Sequence, residues 1–364
     1  MNKGYEYYAN LILTEELEAF KRIQKQKDYG AFEGLFKGVI QKKRLSPPAK
    51  LKETILGTYR HMFGYGILQP LLEDEQISDI NGTRYDHIVY KKKGKLIQSN
   101  IVFESEAAFL NYCKLIVLRN GGKLNSNHSF DRVDDNENFL RITVSIPPRS
   151  STGPSLSIRK HPRRSRSLEE LSTLGMLDAS SLSILRNLMV QGKNLLIAGR
   201  GAAGKTTLLR GMLREVAWDK RFLVCESENE LYPEGKNFIV ERISSSDYGN
   251  SVNLSHLMRD GLSMSLEGYC VGEIVGEEAW EFISAGLTDH LTLGTIHSSG
   301  ILEVILRLKM LINHRVGNYS SEAIEEMILG SLDYVVYLKE YRLEEIAHVE
   351  DGGWVWDYRR GEDC

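Results

Sequence analysis

The sequence predicts an α/β protein: a mostly parallel sheet with helices on both faces, joined to a smaller α+β domain and a helical N-terminal segment. Three observations carry this. Short apolar runs at residues 194–198, 221–225, 269–272 and 291–296 read as buried strands. Helical stretches at 208–216, 254–264 and 277–285 separate them, and such alternation argues for a parallel sheet covered on both faces. Before residue 160 the texture differs, with β-branched hairpins around a single helix.

The first of those strands opens onto Gly199-Arg200-Gly201-Ala202-Ala203-Gly204-Lys205-Thr206, which fits G-x-x-x-x-G-K-[ST]. Strand, glycine loop and helix together aim backbone N–H groups and a helix N-terminus at a phosphate. The candidate phosphate contacts therefore run from Gly199 through Arg200, Gly201, Ala202, Ala203, Gly204, Lys205 and Thr206 to Thr207. Lys205 would reach the β- and γ-phosphates, and the Thr206 hydroxyl would hold Mg²⁺. The competing reading is an ordinary glycine turn, since the pattern fixes only four positions.

The chain has 364 residues, enough for two or three domains. A net charge of -3 gives no global attraction to nucleic acid or anionic membrane. Cys113, Cys225, Cys270 and Cys364 show no C-x-x-C spacing, which suits a reduced, cytosolic protein; Cys225 and Cys270 read as core. No run reaches the ~20 apolar residues of a membrane span, so the expectation is a soluble protein or one peripheral to a membrane.

Taken in order, residues 1–66 form a helical segment, with helical spacing at 15–27 (Leu17, Phe20, Ile23) and a second helix from 49 to 63 after Pro47-Pro48. The basic run Lys42-Lys43-Arg44 reads as a solvated face in preference to a docking arm. Residues 67–160 form the α+β domain: hairpins over 87–90 and 96–103, a helix over 105–119, a turn at 134–136, and strands over 139–146 and 155–159. A basic linker, 161–167, leads to the α/β domain, 168–364, whose tail ends in short strands with Trp354 and Trp356.

Three later stretches could serve a bound phosphate. Glu226, Glu228 and Glu230 follow a strand, at the sheet edge where open α/β sheets bind ligands; carboxylates there could hold Mg²⁺ or polarise water, or simply form a solvated acidic turn. Glu273 closes the next strand, as general base or water-positioning group, or as a carboxylate favoured at a helix N-terminus. His290 and His297 flank the strand after that and read as a pair sensing the γ-phosphate.

This order of phosphate loop, acidic stretch, Gly272-Glu273 and His290-x(6)-His297 resembles the ATPase superfamily of type II and type IV secretion and type IV pili. It is most similar to the subgroup serving Flp (tight-adherence) pili and related type IV secretion. Tyr65 to Leu72, Ile77 to Ile80, Ile146-Pro147-Pro148, Gly153-Pro154 and Leu156 to Lys160 extend the likeness over about residues 60–350. The resemblance implies a RecA-like fold for residues 168–364 and ATP hydrolysis with Mg²⁺. It implies a homo-hexameric ring, on the cytoplasmic face of the inner membrane, working with a membrane platform protein to power pilus assembly or secretion. Glu230 would be the acidic-box glutamate, Glu273 the catalytic one, His290 and His297 the histidine pair. Arg132, Arg141 and Arg159 would be arginines brought towards phosphates, with ATP between the small and α/β domains. A ring scaffold with weak hydrolysis, or a DNA-transfer motor of the same fold, are the alternatives; for the latter the basic patches Lys91 to Lys93 and His161 to Arg166 give weak support. The chain departs from the family's pattern at Ser227, Val275, Asp289, Thr292 and the segment Ser263 to Glu267, so several expected cations are missing.

Overall fold

The computed structural model describes residues 4–24, 27–216, 219–243, 252–313 and 319–362. Cys364 and part of the helix expected over 15–27 lie outside them. Packing divides the chain into two units, Met1–His161 and Pro162–Cys364.

The first unit begins with four helices: α1 (Tyr5–Glu15), α2 (Leu17–Gln24), α3 (Tyr29–Lys42) and α4 (Leu51–Phe63). Their apolar faces meet in a core of Tyr8, Ile12, Phe20, Phe32, Phe36, Val39, Ile55 and Met62. Helix α1 exists because Tyr8, Ala9 and Ile12 recur on one side, which the charge-interrupted start of the chain obscures. The basic run is exposed, as expected of a solvated face, and Lys42 and Lys43 also pair with Glu16 and Glu15, at 2.7 and 2.6 Å, across the break between α1 and α2.

A short helix α5 (Gln69–Glu73) leads to β1 (Ile77–Arg84), β2 (His87–Lys92) and β3 (Lys95–Gln98), then α6 (Glu106–Arg119), β4 (Phe130–Asp135), β5 (Leu140–Ser145) and β6 (Ser155–Lys160). The six strands pair antiparallel in the order β3-β2-β1-β6-β5-β4. One face, with Ile80, Val133, Ile142 and Ile158, packs against Phe109, Cys113, Ile116 and Val117 of α6. Arg119 of α6 donates to the carbonyls of His61, Met62 and Gly64, satisfying the end of α4 and joining the helical segment to the sheet. Two expectations shift. The strand expected over 96–103 ends at Gln98, and Phe103 enters the core from a loop. The turn expected at 134–136 starts later, because Asp134 and Asp135 complete β4 and the Asp135 carboxylate accepts the N–H groups of Glu137 and Asn138.

The second unit runs α7 (Leu168–Thr173), α8 (Ala179–Gln191), β7 (Leu195–Gly199), α9 (Lys205–Leu213), β8 (Phe222–Glu226), β9 (Phe238–Arg242), α10 (Leu254–Gly261), β10 (Gly268–Ile274), α11 (Glu278–Gly286), β11 (Leu291–His297), α12 (Leu302–Asn313), α13 (Ser321–Ser331), β12 (Tyr334–Lys339), β13 (Arg342–Glu350) and β14 (Gly353–Arg359). Helices α8, α12 and α13 and strand β9 fall where the sequence reading assigns nothing. The sheet order is β14-β13-β12-β7-β11-β10-β8-β9. Strands β12 to β9 in that order are parallel, and β13 and β14 add an antiparallel edge.

Alternation along each strand feeds two cores. Leu195, Ile197, Val224 and Cys270 pack under α7, α8 and α9; Leu196, Ala198, Cys225 and Val271 pack under α10 to α13. Both cysteines are thus core residues, on opposite faces. No described helix is long and apolar enough to cross a membrane.

The strands at the centre of this sheet leave no room for added volume. A Cβ on Gly268 would stand 2.5 Å from the Phe222 ring and 2.6 Å from the Leu291 carbonyl oxygen. Gly268→Ala is expected to destabilise the second unit by about 1–3 kcal/mol, the usual range for overpacking. An unchanged midpoint in urea unfolding would contradict this packing.

Candidate active site

Parallel strands deliver their C-terminal ends to one edge, and four of them bring functional groups there. Strand β7 ends in the glycine loop, β8 in Glu226 and β11 in His297, and β10 carries Glu273 one residue before its end at Ile274. The register places His297 directly opposite Gly199.

The loop closes on itself, with Ala203 N donating to the Arg200 carbonyl at 3.2 Å. Gly204 has φ +99°, and a Cβ there would meet Met176 at 2.9 Å and the Tyr341 ring at 3.1 Å, so only glycine fits. Helix α9 begins on this glycine without a side-chain cap, whereas α7, α8 and α10 all carry capping boxes. Its first N–H groups are therefore available to an anion. Thr206 and Thr207 stand half-buried in that first turn, and Arg200 is exposed.

Lys205 is buried, with its Nζ donating to the carbonyls of Gly199 at 3.1 Å and Arg200 at 3.2 Å. Burial pulls its pKa below the ordinary lysine value, and the charges of Glu273 and Glu230 oppose that shift. A buried ammonium held mainly by neutral carbonyls is under-compensated, which favours an anionic ligand beside it.

Glu273 Oε1 lies 2.6 Å from His297 Nε2 and 3.9 Å from Lys205 Nζ. Its placement depends on an irregularity. Val271 pairs with Gly294 but Ile274 pairs with Ile296, so β10 carries one extra residue around Gly272 and Glu273. This bulge re-aims the glutamate. The buried Thr295 hydroxyl fixes it by donating to the Gly272 carbonyl at 2.7 Å. After it, the Glu278 carboxylate accepts the N–H groups of Val275 and Gly276. The His297 ring lies over the loop, 3.6 Å from where a Gly201 Cβ would be.

The acidic stretch divides its labour. Glu226 does not face solvent or a cation site. It is 2% exposed, and its Oε2 accepts the N–H groups of Glu230 at 3.0 Å and Leu231 at 2.9 Å. Arg242 Nε on β9 stands 3.3 Å from Oε1. Burial pushes the Glu226 carboxyl above its usual pKa, against the pull of those N–H groups and Arg242. Glu226 thus folds the loop, and Glu230 is the carboxylate left near Lys205.

His290 requires a correction. It precedes β11, so it sits at the sheet's opposite edge, roughly 20 Å along the strand from His297. There its Nδ1 meets the Thr288 hydroxyl at 3.1 Å and its ring packs edge-on against Tyr269. The structure does not bring the two histidines together.

Arg132, Arg141 and Arg159 lie in the first unit and share one face of its sheet. Pairing aligns Asp134, Arg141, Arg159 and Asp79 in one row and Arg132, Thr143, Ser157 and Asn81 in the next. This face is opposite the one that packs on α6. Arg132 and Arg159 are exposed; Arg141 is buried, with Nε 3.8 Å from Asp134.

Sequence reasoning missed Thr295, Arg242 and the structural duty of Glu226. The hydroxyl in Gly294-Thr295-Ile296-His297 carried a signal, since Thr inside an apolar buried strand asks for a partner.

A family model described as "Type II/IV secretion system protein" matches residues 130–339, more than half of the chain. A protein of Mycobacterium tuberculosis (strain H37Rv), provisionally named a conjugal transfer protein, is 26% identical over 297 residues, covering 78% of this chain and 84% of that one. The type IV secretion system protein VirB11 of Bartonella henselae is 25% identical over 250 residues, covering 57% and 70%. Among solved structures, the Legionella pneumophila ATPase DotB matches with a TM-score of 0.56 at 19% identity, covering 78% of this chain and 80% of that one. The pilus retraction motor PilT, solved with bound ADP, matches with a TM-score of 0.54 at 18% identity, covering 80% and 81%. At these identities the structural likeness speaks for the fold.

The bulge that aims Glu273 can be tested without touching Glu273. Thr295→Val keeps the volume and leaves the Gly272 carbonyl without its hydroxyl donor, which should cost about 1–2 kcal/mol of stability. A variant as stable as the parent in urea would contradict the hydroxyl's role.

Proposed function

The chain belongs to the type II/IV secretion system protein family, and from that premise we propose that it is an ATP-hydrolysing motor driving pilus assembly or protein export across a bacterial inner membrane. The observation that carries the reading is the meeting of Lys205, Glu273 and His297 beyond the uncapped start of α9. A RecA-like core is supported by the order β12-β7-β11-β10-β8, in which one strand separates the loop strand from the strand bearing Glu273.

The N–H groups of Gly201 to Thr206 bind the phosphates, and Lys205 exchanges its carbonyl partners for phosphate oxygens. That exchange gives the buried ammonium the counter-charge its carbonyls lack. Glu273 orients the attacking water and accepts its proton. His297 holds the carboxylate in place and, resting over Gly201, registers loss of the γ-phosphate. The donors present suit Mg²⁺: the Thr206 hydroxyl would hold the ion, with Glu230 and Glu273 within the same edge. Bound there, Mg²⁺ would neutralise charge on the transferring phosphoryl.

Arg132 and Arg159 are exposed on a common polar face and are the cations of the first unit offered to phosphates; buried Arg141, beside Asp134, supports their row. The working particle is proposed to be a homo-hexamer at the cytoplasmic face of the membrane, engaging a platform protein there. Transfer of DNA by the same motor is a second reading, favoured by the conjugal-transfer name of the mycobacterial relative. DNA binding that weakens steeply with salt would support it.

Glu273→Gln separates binding from chemistry. Phosphate release from ATP should fall by about 100-fold or more, the share of a general base, while affinity for a non-hydrolysable ATP analogue stays near the parent's. Parental turnover in the variant would remove Glu273 from the mechanism.

A further inference from the structure

The segment expected to be a linker opens the second unit at Pro162 and is held by α9 and by the loop that follows Glu230. Ser165, within the run His161 to Ser167, is 2% exposed, and each of its polar groups is held. Its N–H donates to Glu234 Oε1 at 2.9 Å. Its hydroxyl accepts from Arg210 Nε at 3.2 Å. Its carbonyl accepts from Arg214 Nη1 at 2.6 Å. Arg210 also donates from Nη2 to the Pro162 carbonyl at 3.0 Å, and its guanidinium lies 5.6 Å from the centre of the Tyr232 ring.

These partners come from two places. Arg210 and Arg214 belong to α9 and to its C-terminal cap, and Lys205 and Thr206 open the same helix. Tyr232 and Glu234 follow immediately on Glu230, in the loop folded by Glu226. Gly211 lets the linker lie against α9, since a Cβ there would stand 3.2 Å from the Arg166 carbonyl oxygen. Arg210 is only 6% exposed, and burial pulls its pKa below the arginine norm. An arginine buried inside an apolar helix is expensive to desolvate. What it obtains in return here is a hold on the linker.

We propose that Arg210, Arg214, Glu234 and Ser165 form a clasp through which nucleotide state at the loop sets how tightly the linker is held. Arg210 is a positioning residue, acting on the linker and not on the phosphates. Rearrangement of the first turn of α9 or of the Glu230 loop moves one jaw of the clasp relative to the other. The grip on Pro162 and Ser165 changes with it, in the covalent segment that leads back to the first unit. The inference rests on the nucleotide reading of the loop.

The linker carries its own reporter. Arg163, Arg164 and Arg166 are exposed, and each is a trypsin site. In the full chain, a non-hydrolysable ATP analogue with Mg²⁺ is expected to slow cleavage after these arginines by about fivefold, the effect of one net hydrogen bond on an opening equilibrium. Ser165→Ala, which removes the hydroxyl partner of Arg210, and Glu234→Ala, which removes the acceptor of the Ser165 N–H, should abolish the slowing while leaving analogue affinity, measured by titration, unchanged. Glu234 is half exposed, so its variant keeps the fold if the buried Ser165 variant does not. Variants that slow as the parent does would overturn the clasp. So would a parent that binds the analogue with no change in cleavage. A parent that does not bind it would overturn the nucleotide reading itself, and the trigger of the clasp with it.

Discussion

A parallel strand ends where its neighbours end, and the site follows from that constraint. Strands β7, β11, β10 and β8 run side by side, so the glycine loop, His297, Glu273 and Glu226 emerge on one edge although they span about a quarter of the chain. The helices on both faces bury the sheet and fix the strands. The edge is then the place where backbone groups and charges remain uncommitted.

That edge is organised around charge held away from water. Lys205 is buried against carbonyls, Glu226 against backbone N–H groups and Arg242, and Arg210 against a hydroxyl, a carbonyl and an aromatic ring. Each is costly to place. Lys205 and Arg210 lie on the helix that starts at the glycine loop, and Glu226 ends β8, which β11 and β10 separate from β7. Lys205 is the one whose neutral partners an incoming phosphate can replace. Glu226 shapes the acidic loop, and Arg210 anchors the linker. The Lys205 ammonium, the shape of the acidic loop and the hold on Pro162 and Ser165 thus draw on one small set of buried ionisable side chains.

Much of this was legible in the sequence. The glycine loop carries its own chemistry in its spacing, and Glu273 and His297 each close an apolar run, which places them at the same strand ends. His290 misled because seven residues are the length of a strand: the spacing that suggested a pair separates its members across the sheet. The bulge at Gly272 and Glu273 was not legible, since it arises from pairing with β11, far along the chain. Glu226 looked like a solvated carboxylate because its burial depends on β9, a strand the periodicity does not reveal. Arg210 was given no role from the sequence, because nothing local says that Pro162 and Ser165 cover that face of the helix. In each case the missing information is tertiary.

The central claim is that the end of β7 and the start of α9 bind nucleotide phosphate. The direct measurement is titration of the purified chain with a fluorescent ADP or ATP analogue, alongside Gly204→Val. The valine adds a Cβ where φ is +99° and Met176 stands 2.9 Å away, so it reshapes the loop itself. The account predicts saturable binding to the parent and a loss of at least about tenfold in the variant, the equivalent of about 1.4 kcal/mol. Equal binding by both proteins would place the nucleotide elsewhere and contradict the account.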